Sequence, residues 1–168
     1  MSGDGIESRV RRQLDQLGIA YEMVPCDPAL ADTAAFCAAY GYALEDSANT
    51  IVVASKSAPV TYAACVVLAS TRLDVNRTVR QRLGARRASF ASSEETQVLT
   101  GMELGGVTVF ALPDDLALWV DGQVMDRARI ILGGGSRNWK VVAAPAILLA
   151  LPNVEVVSGL AVERPLPQ

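Results

Sequence analysis

The chain has 168 residues, a formal net charge of −3, 51% apolar and 5% aromatic residues, and no histidine. That is a globular composition, long enough for one domain with a sizeable core of Ala, Val, Leu and Ile, and unlike that of a disordered segment. The missing histidine excludes a Ser-His-Asp triad, a Cys-His pair and a histidine-based metal centre. Carboxylate, lysine, hydroxyl, thiol, backbone N–H and the substrate itself remain for catalysis, and the lysines are only Lys56 and Lys140. Cys26, Cys37 and Cys65 are widely spaced and form no Cys-x-x-Cys, so neither a disulfide framework nor a zinc site is expected. They read as buried apolar thiols, except Cys26, which lies in a loop between prolines and is expected to be exposed. No metal or organic cofactor is implied. Met1 to Gly5 lacks the basic start and apolar run of a signal peptide, and the longest apolar run, Val60 to Ala69, is too short to span a bilayer. The expectation is a cytoplasmic protein with no membrane partner.

In chain order, Ile6, Val10, Leu14 and Leu17 recur at spacings of three and four, which predicts a helix over 6–17 ended by Gly18. A short strand follows at Tyr21–Val24, then a proline-bounded loop and an alanine-rich helix from Ala34 to Tyr40, capped by Asp32 or Thr33 and stopped by Gly41. Thr50–Ser55 and Val60–Ala69, joined by Lys56-Ser57-Ala58-Pro59, predict an antiparallel hairpin buried on both faces. Asp74 caps a helix to about Leu83, and Ser92 with Glu95 forms a capping box for a helix to Thr100. Strands are expected at Val107–Ala111, Leu116–Val120, Arg129–Leu132 and Trp139–Ala143. Pro145 opens a last helix through Leu151, Val154–Val157 adds an edge strand, and 163–168 is a frayed tail. The fold class is therefore α/β (α+β), a mixed, mostly antiparallel sheet or partly closed barrel flanked by helices, in one domain with its core over about 6–160.

Two glycine-rich stretches stand out. Gly101 ends a helix, and Gly105-Gly106 follow too soon to be another cap, so the backbone there turns sharply or lies bare against something. Gly133-Gly134-Gly135 follows a strand but leads into another strand at Trp139, so the phosphate-binding helix start of a dinucleotide fold is missing. The two stretches are expected to form opposite lips of a pocket. Charge is also uneven: Arg72, Arg77, Arg80, Arg82, Arg86 and Arg87 fall within a segment that holds one acid, Asp74. Such a patch suits phosphates despite the negative net charge, or forms an ordinary solvated face.

The order Thr50-Ile51-Val52-Val53, Arg72-Leu73-Asp74, Leu99-Thr100-Gly101, Gly105-Gly106-Val107, Val120-Asp121 and Gly133-Gly134-Gly135 resembles the YbaK/ProX-type aminoacyl-tRNA editing domain over about residues 6–160. The resemblance implies hydrolysis of the ester joining a wrong amino acid to transfer RNA, notably alanyl- or cysteinyl-tRNA(Pro). It implies Asn49, Gly101 and Asp121 as the catalytic group, and Thr50, Gly105, Gly106, Val107, Gly134, Gly135 and Ser136 around the aminoacyl and adenosine moieties. Arg72, Arg77, Arg80, Arg82 and Arg137 would bind tRNA, and an aminoacyl-tRNA synthetase is a possible partner. An aminoacyl ester is already activated, so such a site needs mainly to hold the carbonyl, orient water and exclude larger amino acids.

The chain departs from the family at Asn49, where a lysine is common. Lys56 does not replace it, because seven residues along a strand turn it to the other face at roughly 23 Å. Three readings follow: a trans-editing hydrolase, a binding module that has lost catalysis, and a partner-binding or oligomerising protein that reuses the fold.

Overall fold

The computed structural model describes residues 5–164. Met1–Asp4, and the part of the expected tail from Pro165 to Gln168, lie outside them. The predicted N-terminal periodicity forms helix α1 (Ile6–Leu17), which buries Val10 and Leu14 and stops at Gly18 in the left-handed region. Strand β1 (Tyr21–Pro25), a 3-10 turn at Pro28–Leu30 and helix α2 (Thr33–Tyr40) lead to the hairpin of β2 (Ala48–Ser55) and β3 (Tyr62–Leu68). That hairpin is antiparallel, with Thr50 opposite Val66. Next come β4 (Thr71–Leu73), a π-helical turn at Val75–Val79, α3 (Arg80–Leu83), β5 (Ala88–Phe90) and α4 (Ser93–Thr100). The Ser92–Glu95 capping box forms in both directions. The chain continues through β6 (Ala117–Asp121), β7 (Ile130–Gly133), β8 (Trp139–Ala143), β9 (Val154–Val157) and β10 (Ala161–Glu163).

The strands assemble as a five-stranded sheet in the order β5-β2-β3-β6-β9, a three-stranded sheet β1-β8-β7 and a β4-β10 pair. Only β3–β6 and β6–β9 run parallel. The mixed, mostly antiparallel architecture is therefore present, without a closed barrel among the described residues. The continuous hydrophobicity of β3 follows from burial on both faces. Ala64, Val66 and Leu68 join α1 and the three-stranded sheet in one core, while Ala63, Cys65 and Val67 join Val75, Val79 and Leu160 in a second. Among the described residues no helix is long and apolar enough to cross a membrane.

Several expectations are corrected. Val107–Ala111 is not a strand; Val109 and Phe110 are buried core residues carried by a loop, and Ala111 has φ 62°. Its backbone donors find partners off any ladder, Thr108 N–H on the Met102 sulfur and Ala111 N–H on Gln13 Oε1 at 2.6 Å. Asp74 does not cap a backbone N–H but accepts from Thr78 Oγ1 at 3.0 Å, where a π-turn precedes α3. The helix opened by Pro145 is a 3-10 segment, Pro145–Ala150. Glu163, assigned to the tail, closes β10 against Thr71 of β4. Cys26 is buried like the other two cysteines, and its thiol pKa is raised by desolvation; burial pushes Cys65 up to about 12.

Candidate active site

The outer edge of β2 is free at its N-terminal end, because β5 pairs only with Val53, Ala54 and Ser55. Against that free edge lies a cavity of about 200 Å³. Its walls are β2 from Ala48 to Ile51, the start of α2 with Phe36, the Leu104–Val107 loop, and Ile131–Gly133 with Lys140 from the three-stranded sheet. Four of the predicted residues meet here: Asn49, Thr50, Gly105 and Val107. Asn49 Oδ1 accepts a 2.8 Å hydrogen bond from the Thr33 hydroxyl at the start of α2. The buried Thr50 hydroxyl has no hydrogen-bond partner among the described residues.

Lys140 is the residue that sequence reasoning missed. It stands on β8, the middle strand of its sheet, and is 7% exposed. Its Nζ donates to the carbonyl oxygens of Ala31 at 2.7 Å and Gly105 at 3.0 Å, and lies 5.5 Å from the Phe36 ring centroid. No carboxylate among the described residues forms an ion pair with it; the nearby Asp32 is engaged by Arg137. Desolvation lowers the Lys140 pKa, since burial penalises the charged form. The signal was present in the sequence: one charged residue inside Trp139-Lys140-Val141-Val142-Ala143, an otherwise apolar strand.

The glycines serve mainly close packing. An added Cβ at Gly106 would lie 2.6 Å from the Ser136 backbone, one at Gly134 would lie 2.6 Å from the Trp139 carbonyl, and one at Gly133 would collide with the Val107 carbonyl. Gly135, at φ 96°, donates its N–H to the Gly106 carbonyl at 2.8 Å. The two glycine stretches thus touch each other. Both stretches also reach the cavity, the first through Gly105 and the second through Gly133, whereas Gly106, Gly134, Gly135 and Ser136 are not among its lining. Ser136 instead donates to Glu7 at 2.6 Å, and that hydrogen bond is the main cause of the lowered Glu7 pKa.

Gly101 and Asp121 lie outside this cavity. Gly101 is the left-handed cap of α4 and lines a separate shallow groove beside Arg9. Asp121 is 1% exposed, and its carboxylate accepts from Gln123 N–H at 3.2 Å and Ala161 N–H at 3.1 Å, which joins the end of β6 to β10. Of the arginines, Arg137 reaches the cavity's surroundings, where it ties the Pro28 carbonyl, the Leu104 carbonyl and Asp32 together. Arg80 bonds the carbonyls of Asn76 and Ala85, and Arg82 pairs with Glu155 at 2.5 Å over the Trp119 ring. Arg72 and Arg77 are exposed.

The arrangement can bind a small polar group between amide and ammonium donors. No relative was found among curated proteins. A solved structure of the hypothetical protein APE2540 is similar, with TM-score 0.81 and 23% identity over 91% of this chain and 99% of that one. A protein described as a candidate trans-editing enzyme for prolyl-tRNA synthetase is similar, with TM-score 0.79 and 21% identity over 98% of this chain and 100% of that one. These likenesses establish the fold. The family model for the aminoacyl-tRNA editing domain matches residues 27–151, and the chain belongs to that family.

Proposed function

We propose that the protein is a free-standing trans-editing hydrolase that cleaves the ester of a small, wrong amino acid on transfer RNA, with alanyl- or cysteinyl-tRNA(Pro) as the substrate type. The observation that carries this reading is the cavity beside β2. At about 200 Å³ it is too small for a nucleotide and lies below the roughly 300 Å³ at which drug-sized pockets begin. A small aminoacyl group and a water molecule of about 30 Å³ suit it better. Phe36, Ile51 and Leu104 supply apolar wall, which penalises a polar or longer side chain.

The tRNA remains outside. Exposed Arg72 and Arg77 offer charge to acceptor-stem phosphates, and contact of Gly134, Gly135 and Ser136 with the terminal adenosine is part of this reading. A synthetase relationship like that named for the similar trans-editing protein belongs to the same proposal. A second reading, a binder without turnover, is favoured by one feature, the uncharged Asn49 at a position where a lysine is common in the family.

Deacylation of mischarged transfer RNAs separates the two, beginning with alanyl- and cysteinyl-tRNA(Pro) and comparing wild type with Asn49→Lys. Turnover by the wild type supports editing. Turnover only by Asn49→Lys identifies a silenced binder on an intact pocket.

A further inference from the structure

Two side chains of the cavity wall are tied to the same short stretch of chain, residues 31–33. Lys140 is bound through the Ala31 carbonyl, and Asn49 through the Thr33 hydroxyl two residues later. Neither has used all its donors. An ammonium has three N–H bonds and Lys140 spends two on carbonyls; the Asn49 amide spends its oxygen on Thr33 and leaves its NH₂ with no partner among the described residues. With the Thr33 hydroxyl donating to Oδ1, Nδ2 is turned the other way. The Lys140 charge, meanwhile, is met by carbonyl dipoles and an aromatic face but by no ion-paired carboxylate, so it can still stabilise an anionic oxygen.

We infer that Asn49 and Lys140 form a two-donor site for the acyl oxygen of a small amino-acid ester, and that Thr33 is the positioning residue for Asn49. This rests on the editing reading above and names the groups that would perform it. Water adds to the acyl carbon, and the carbonyl electron pair moves onto the acyl oxygen between Lys140 and Asn49. When that oxyanion collapses, the carbonyl re-forms and the bond to the ribose oxygen breaks. One proton from water ends on the ribose hydroxyl; the other stays with the released amino acid, whose carboxyl group ionises at neutral pH. Lys140 and Asn49 donate hydrogen bonds throughout and give up no proton. A preorganised donor at a developing oxyanion contributes on the order of 10²–10³ in rate.

The test uses two readouts on the full chain: deacylation of alanyl-tRNA(Pro), and calorimetric binding of adenosine carrying alanine in a 3′-amide link, which resists hydrolysis. Lys140→Met is expected to weaken analogue binding about tenfold or more, as for a lost hydrogen bond from a charged group. Wild-type kcat/KM is expected to fall as Lys140 loses its proton, and Lys140→Met should lack that fall. Thr33→Val should weaken binding by a few-fold, Thr33→Ser should restore it, and Thr33→Val should add nothing once Asn49 is alanine, since a positioning residue acts only through its partner. Melting temperatures of all variants guard against misfolding, and the Thr33 series stands if Lys140→Met does not fold.

If the wild type turns over and Lys140→Met matches it in rate and pH profile, the donor pair is overturned while editing stands. If the wild type binds the analogue through Lys140 and Asn49 but deacylates nothing, the pair stands and editing falls. If the wild type neither binds nor turns over, both fall.

Discussion

The cavity beside β2 and the glycine seam next to it are built on opposite terms. In the seam, backbone meets backbone so closely that Gly106, Gly133 and Gly134 have no space for a methyl group. In the cavity, space is left open, and a buried lysine and an amide keep donors that the protein does not use. The seam holds Gly105 and Gly133 in place; the cavity spends some stability on keeping a charge out of water. The seam should therefore respond to substitution mainly in stability, and the cavity mainly in activity.

The largest expected effect is in the seam. Gly106→Ala and Gly134→Ala press a methyl group into backbone and should cost about 3 kcal/mol or more of unfolding free energy, beyond ordinary overpacking. Chemical denaturation measures it; a loss under about 1 kcal/mol would show that the two stretches can part easily. Asp121→Ala comes next, because the buried Ala161 N–H and the half-buried Gln123 N–H lose their acceptor, at about 1–3 kcal/mol in the same assay. Deacylation per folded molecule decides whether Asp121 also serves the substrate.

Lys140→Met should do the reverse of the seam variants, lowering turnover about tenfold or more while leaving unfolding free energy within about 1 kcal/mol of wild type. Relief from burying a charge offsets the two lost hydrogen bonds. The pH dependence sharpens this. The native pKa of Lys140 lies below its ordinary value, so the burial penalty is fully present below that native pKa. Between the lowered native pKa and the ordinary 10.5, the unfolded chain holds the proton that the native one has lost, and stability rises with pH. Wild type should thus gain on Lys140→Met in unfolding free energy across that window, while its kcat/KM falls as the ammonium is lost. The smallest effect belongs to the exposed arginines: Arg72→Ala or Arg77→Ala should weaken tRNA binding a few-fold and reduce its salt dependence by about one phosphate contact.

Local signals in the sequence were legible where local physics decides. The Ser92–Glu95 box, the glycine stops at Gly18, Gly41 and Gly101, and the β2–β3 hairpin were all read correctly, because each depends on neighbours in the chain. What was lost depends on distant partners. Thr71–Leu73 is a strand only because Ala161–Glu163 lies beside it. Val109 and Phe110 are as apolar as strand residues but are buried from a loop whose donors go to Met102 and Gln13. The family resemblance leads to Asn49, Thr50, Gly105 and Val107, which share the cavity, while Gly106 and Gly134 stand at close backbone contacts beside it. Lys140 is in view as one of two lysines, yet its role depends on the carbonyls of Ala31 and Gly105, 109 and 35 residues away in sequence respectively.

The most direct test of the account is single-turnover deacylation of alanyl-tRNA(Pro) by wild type and Lys140→Met, side by side at equal folded concentration. The account predicts hydrolysis well above the spontaneous rate for the wild type and a rate lower by about tenfold or more for the variant. Equal rates for the two proteins, or no acceleration by the wild type, would contradict it.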